Sequence, residues 1–464
     1  MSTRTFALAS LLLLGLSASA AAQALHVLPD GTWANDITPD GRYVVGGSAG
    51  GGFIWDWKND PAPTFITGGN DITAVSDDGT VLVGCMDDPG TGAEVAAMWT
   101  QANGWVSLGF LPNALSCPSK SNAYDVSGDG NTVVGLSWDG CSGRGFKWTA
   151  ANGMEELEVL GSGGNRATTI SGDGTAIGGF GQTTARAPAY WDASDLSGEL
   201  YDPAVTGEVN GINGDASVSV GTMYFSGGWY SAYYRVGAGP AVNIGSLSGG
   251  TMAGNAQDVS ADGSVIVGFD HASFNREAWM WTPGSGIVGI NALLPTLGIT
   301  GAPFIQVSRA VSADGSVIVG GATGSVGGFS TAGFLLAFDT DGSWDDEGHA
   351  LAGVSGEPVL TGTGELFPLA PVSVNMTGAK PNGEAWLFIG LTELEAPFKG
   401  GVLVPNPDFL LGPLTVDGLG NLDLNTFWPT GVPSQFTSYY QYWIVDAAGP
   451  KGVAASNGLS ATTP

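Results

Sequence analysis

The chain has 464 residues, with 43 Asp+Glu against 14 Lys+Arg and a formal net charge of −29. That balance excludes a nucleic-acid or anionic-membrane partner, because both require a basic footprint. A hydrophobic share of 43% with 10% aromatics excludes disorder, and 76 glycines with only 12% charged residues exclude a coiled coil or helical bundle.

Residues 1–24 carry one basic residue, Arg4, then an apolar run from Phe6 to Leu16, and end in Ala22-Gln23-Ala24. This is the pattern of a signal peptide with an A-x-A cleavage site, and the run is too short to span a membrane. No later apolar run is long enough to span either, so a secreted or cell-surface-associated protein without a membrane span is expected, as a monomer. The cysteines suit an oxidising compartment. Cys117 and Cys141 lie twelve residues either side of Asp129, and a disulfide between them is expected. Cys85 reads as a small buried residue.

Residues 25–338 repeat seven times. The aligned aspartates are Asp40, Asp78, Asp129, Asp173, Asp215, Asp262 and Asp314, spaced 38, 51, 44, 42, 47 and 52 residues apart, each with a glycine six residues on that reads, like the Gly next to the Asp, as turn chemistry. In each copy a Ser (Thr38 and Asn213 in two copies) begins a type I turn, Asp stands third, and a left-handed Gly follows. Ala216 replaces that Gly in the fifth copy, so its turn is expected to be strained or different. The Val/Ile run that follows reads as a buried strand. A third strand is marked by Trp55, Trp99, Trp148, Trp191, Tyr233, Trp281 and Phe334, and a fourth by apolar pairs such as Val106-Ser-Leu108. Four strands in about 45 residues predict a seven-bladed β-propeller. The seventh copy lacks a fourth strand after Phe338, whereas Leu25–Leu28 reads as an orphan one. Their pairing would close the ring and remove exposed edges.

These segments resemble the extracellular HAF-repeat family, whose core is A-x-x-V-S-x-D-G-x-x-V-V-G. The family's later His-Ala-Phe-x-Trp is replaced here by Arg144-Gly-Phe-Lys-Trp148 and Glu277-Ala-Trp-Met-Trp281. The resemblance implies a secreted, repeat-built surface protein without an assigned reaction.

Residues 339–349 read as an acidic linker, and 350–464 as a C-terminal β-sandwich of short strands. Residues 397–408, 441–446 and 456–459 resemble a C-terminal module of secreted planctomycete-type bacterial proteins, which implies attachment, sorting or display.

The repeat aspartates cap their own turns more readily than they bind metal or act as acids. The marker aromatics read as blade core before they read as a carbohydrate platform. Asp339, Asp341, Ser343 and Asp345 alternate oxygens at a calcium-like spacing, against which Gly342 stands fourth rather than sixth. No other cofactor is implied. Arg144, Arg186 and Arg276 lie 15, 13 and 14 residues after their aspartates, and Arg166 and Arg309 lie seven and five before theirs. Those connections share one face, so these five arginines form a candidate site for an anionic glycan or surface protein. Isolated salt bridges with the abundant acids are the plainer alternative. The chain contains no H-E-x-x-H, G-x-S-x-G, P-loop or C-x-x-C motif. A non-enzymatic binding or structural scaffold is the leading expectation. The alternative is a polysaccharide hydrolase or lyase at the channel mouth.

Overall fold

The computed structural model describes residues 24–112, 119–138, 141–225, 230–247, 249, 253–272, 275–324, 331–433 and 435–464. Residues 1–23 of the expected signal peptide, and Cys117 of the expected disulfide, lie outside them. Cys141 is disulfide-bonded and Cys85 is free and buried. Burial pushes the Cys85 thiol up to about 12, which keeps it protonated and unreactive. Among the described residues, no helix is long and apolar enough to cross a membrane.

The chain forms two compact units. One holds Ala24–Pro295 and Ile299–Ala337, and the other holds Phe338–Pro464 with Thr296–Gly298. The first unit is all-β. Among the described residues it contains seven antiparallel four-stranded sheets. The first sheet runs from the innermost strand Thr32–Ile37 through Tyr43–Ser48 and Gly51–Asp56 to Thr64–Ile66. Each innermost strand packs on the next, and the seventh, Ile305–Val311, packs on the first, so the sheets form the ring of a β-propeller. The expected clasp is present: Ala24–Asp30 pairs antiparallel with Ala332–Ala337, setting Leu25 opposite Leu336 and Val27 opposite Phe334. Cores form between adjacent sheets. In one, Ala34, Val44, Phe53 and Trp55 meet Leu28, Val319 and Leu335.

The Asp-Gly turns are self-contained. In the second copy the Ser76 hydroxyl donates to Asp78 Oδ1 at 2.8 Å, Thr80 N donates to the same oxygen at 2.9 Å, and Val81 N donates to Ser76 Oγ at 3.0 Å. Main-chain bonds then link turn to turn around the ring, as in Asp77 N to Gly128 O at 3.0 Å and Ala313 N to Pro39 O at 2.9 Å. Ala216 keeps the left-handed conformation, with φ +60°, where the other copies have glycine.

The register corrects two readings. First, the glycine six residues past each Asp is a strand residue rather than a turn residue. Every innermost strand carries a β-bulge that skips one residue: Asn35, Thr73, Tyr124, Thr168, Asn210, Gln257 and Arg309. Just before each bulge the strand faces that glycine, for example Ala34 opposite Gly46 and Ala123 opposite Gly135. A Cβ on Gly135 would collide with the Asn122 carbonyl and the Phe146 ring. Second, the marker aromatics belong to two positions. Trp55 pairs with Val44 and Trp148 with Val133, but Tyr233 and Phe334 stand opposite the glycines Gly221 and Gly320, two residues out of step. Their Trp-equivalents are Arg235 and Leu336.

In the second unit, Ser343–Gly348, Gly458–Thr462, Thr437–Val445, Glu384–Gly390 and Phe409–Thr415 lie side by side in one sheet, and Val359–Thr363, Pro371–Thr377 and Leu422–Phe427 form another. Leu360, Val374 and Met376 of the smaller sheet share one core with Leu387, Tyr440, Tyr442 and Ile444 of the larger. The acidic run is therefore only partly a linker. Ser343–Gly348 pairs with the buried strand Gly458–Thr462 because Trp344 packs against the core and hydrogen-bonds Gly364 O at 2.9 Å. Its charges blunt a sheet edge.

A thermal-melting comparison tests the two glycine roles. Ala216→Gly is expected to stabilise the protein by about 1 kcal/mol, by relieving a left-handed alanine. Gly135→Ala is expected to destabilise it by more than about 2 kcal/mol, because backbone atoms block the methyl. A neutral Gly135→Ala would disprove the bulge argument.

Candidate functional site

The seven bulges face a common centre. A cavity of about 800 Å³ runs along the innermost strands, lined among others by Trp33, Asp71, Tyr124, Arg166, Asn210, Gln257 and Arg309. A bulge re-aims its side chain, which is why residues at the skipped position reach this channel.

The residue after the bulge points into the seam between sheets. In three copies it is aspartate, and each carboxylate ties its own strand to the next sheet. Asp36 accepts Ile37 N at 2.8 Å and Val75 N at 3.0 Å. Asp125 accepts Val126 N at 2.8 Å and Ile170 N at 2.8 Å. Asp258 accepts Val259 N at 2.8 Å and Val311 N at 2.9 Å. These residues were not singled out from sequence, although an Asp four residues before the turn Asp, in a strand bound for the core, is a readable signal. Burial pushes Asp125 up to about 6 and Asp258 up to about 7, and drives Asp36 well above the carboxylate range. The charge of Asp125 adds to the rise at both Asp36 and Asp258.

Most bulge side chains spend their polar groups on protein. Asn35 Nδ2 donates to Ile72 O at 2.7 Å and to Asp71 Oδ1 at 3.2 Å. Thr73 Oγ1 donates to Ala123 O at 3.1 Å, and Asn210 Nδ2 donates to Ala256 O at 2.7 Å. Thr168 Oγ1 donates to Glu208 Oε1 at 2.8 Å, and Gln257 Nε2 donates to Asn255 Oδ1 at 2.9 Å. The Tyr124 ring lies 5.6 Å from the Arg166 guanidinium.

The five predicted arginines are treated differently by the fold. Arg166 and Arg186 converge on one carboxylate, Glu208. Arg166 Nη2 pairs with Oε1, and Arg186 Nη1 stands 3.4 Å from Oε2. The Phe180 ring lies 5.1 Å from the Arg166 guanidinium and 4.3 Å from that of Arg186. Arg186 and Glu208 also line a side cavity of about 400 Å³ with Tyr230, Asn255 and His271. Arg276 pairs with His271 in register and stacks 5.7 Å from Phe269. Arg144 stands apart in a bond of 2.7 Å to Glu156. Arg309 sits on its bulge in the channel. The fold thus brings Arg166 and Arg186 together, sets Arg276 beside the side cavity and gives Arg144 to a salt bridge.

The calcium candidates fall elsewhere. Asp339 Oδ1 accepts Asp341 N at 3.1 Å, and Ser343 Oγ donates to Asp345 Oδ2 at 2.7 Å. Ser343 and Asp345 lie on an extended strand, whereas a calcium loop must turn around its ion. Among the described residues, no group of three or more His, Cys, Asp or Glu is placed to hold a metal ion.

No protein-family model and no curated protein sequence matches the chain. Solved structures that it resembles include oligogalacturonate lyase from Vibrio parahaemolyticus, at 9% identity and TM-score 0.43 over 69% of this chain and 98% of that one. Another is the β-propeller domain of the Trilobed protease from Pyrococcus furiosus, at 12% identity and TM-score 0.41 over 68% and 93%. A third is TolB from Acinetobacter baumannii, at 13% identity and TM-score 0.38 over 64% and 80%.

The seam carboxyls set a pH dependence. Unfolded, they ionise near 3.8, and folded, near 6 and 7 for Asp125 and Asp258. Between those values the folded chain holds more protons than the unfolded one, so their contribution to stability falls as pH rises from about 4 to 7. The turn residues Asp78, Asp129, Asp173 and Asp215 are shifted down, so their contribution is lost only as pH drops below the carboxylate range. The melting temperature is expected to be higher at pH 5 than at pH 8. Asp258→Asn should narrow that gap while costing about 1–3 kcal/mol, since an amide N–H₂ then faces a backbone N–H. A melting temperature that rises from pH 5 to pH 8 would contradict the assignment.

Proposed function

We propose that the protein is a secreted, non-enzymatic scaffold whose arginine-bearing channel mouth binds an anionic glycan or a surface partner. In this reading residues 1–24 are a signal peptide and 25–338 form a seven-bladed propeller of HAF-repeat type. Residues 350–464 are a β-sandwich for attachment or display, like the planctomycete-type module.

One observation carries the reading. The seven copies keep their turn, their bulge and their facing glycine, yet the bulge residue is Asn, Thr, Tyr, Thr, Asn, Gln or Arg. A ring that only had to stand up would repeat there too. Side chains that differ from blade to blade, aimed at one cavity beside Arg166 and Arg186, suit recognition of an asymmetric ligand. The catalytic alternative is weaker on these geometries. Asp36, Asp125 and Asp258 each hold two backbone N–H groups, and Asp71 accepts from Asn35. Carboxylates committed in this way are poorly placed to shuttle protons to a substrate.

The test is retention on immobilised alginate, a polyuronate, with dextran as the neutral control. The wild-type protein should be held on alginate, less so at high salt. The double variant Arg186→Ala/Arg276→Ala should lose at least tenfold in affinity. Equal retention of the double variant, or of the wild type on dextran, would refute the proposal.

A further inference from the structure

Arg309 differs from every other bulge residue. Five of the other six donate hydrogen bonds to protein acceptors and the sixth, Tyr124, lies against the Arg166 guanidinium, while Arg309 makes no hydrogen bond or ion pair with the described residues. Its side chain is exposed to the channel, yet the surrounding protein lowers its pKa by desolvation, an effect that Asp71 partly offsets. A guanidinium presents five donors in a planar fork, and this one leaves them open to the channel. The chain has 43 acids, and among the described residues none lies within pairing distance of it. Such a group is arranged to receive an acceptor from outside.

The channel's other charges limit what that acceptor is. Asp36, Asp71, Asp77, Asp125, Asp173 and Asp258 line the same cavity, and Arg166 there is paired with Glu208, so a dianion such as a phosphate monoester would meet six carboxyls and one guanidinium without a carboxylate partner among the described residues. A monoanion matches that one cation. The neighbouring wall adds the Trp33 ring and the oxygens of Asn35 and Asp71, an apolar face beside acceptors suited to hydroxyl groups. The cavity, about 800 Å³, falls within the range of small-ligand sites.

We infer that the channel is a binding site for a sugar acid, a hydroxylated monocarboxylate held bidentately by Arg309 with its hydroxyls toward Asn35 and Asp71. The inference deepens the proposed glycan-binding reading and rests on it. It adds the chemical class of the ligand and the residue that anchors it. A free sugar acid and the uronate end of a polysaccharide share this chemistry.

Calorimetric titration of the full chain with glucuronate, a glucuronate trisaccharide and glucose tests it. The wild-type protein should bind glucuronate at least tenfold more tightly than glucose. Arg309→Ala and the volume-preserving Arg309→Gln should each lose that preference. The trisaccharide binding more tightly than the monomer points to a chain end, and the reverse to the free acid. Both variants should melt no lower than wild type, because no intramolecular partner is lost. Retained glucuronate affinity in both variants, equal binding of glucose by the wild type, or a melting temperature several degrees lower would overturn the inference. If the Arg309 variants keep glucuronate while Arg186→Ala/Arg276→Ala loses alginate, the channel assignment alone falls. If the double variant keeps alginate while the Arg309 variants lose glucuronate, the mouth reading alone falls.

Discussion

The propeller rests on one local constraint, the crowding of the innermost strand's bulge against a glycine on the next strand. The bulge adds a residue, and the displaced backbone carbonyl comes to occupy the place of a Cβ on the partner strand. Only glycine permits that approach. The skipped residue then points to the channel and the residue after it to the seam, in all seven sheets. Closure of the ring, the carboxylate ties across the seams and the lining of the cavity all follow from this repeated pair.

The seams and the channel use carboxylates in different ways. At Asp36, Asp125 and Asp258 a side chain replaces a missing backbone acceptor, so the joint between sheets is satisfied at the cost of a buried ionisable group. The turn aspartates serve their own loops at the surface and add nothing to the joint. The channel thus inherits acidic walls from the scaffold, and Arg309 faces them as a cation that the scaffold does not use. The proposed selectivity for a monoanion is a consequence of how the ring is held together.

The architecture was legible in the sequence because it is written in short-range chemistry. The Asp-Gly turns, the count of copies and the orphan strand at Leu25–Leu28 depend on contiguous residues or on their periodicity, and the turns and the clasp appear in the structure as read. The glycine six residues past each Asp was visible but misread, since its reason is a carbonyl on another strand. Tyr233 and Phe334 were placed with the tryptophans because aromatic character alone does not reveal a two-residue shift in register. Ser343–Gly348 read as linker because its charges conceal the alternation that sends Trp344 inward.

By itself the sequence determined that this protein is an acidic, glycine-rich, all-β chain of repeated four-strand units with rare arginines in loops and strand starts. Tertiary structure alone decided what those arginines do. Arg166 and Arg186 find their shared acid, Glu208, in the next repeat, Arg144 finds Glu156 on the adjacent strand, and Arg309 finds none among the described residues. Arg166 and Glu208 are 42 positions apart in the chain, so their pairing exists only once neighbouring sheets have packed.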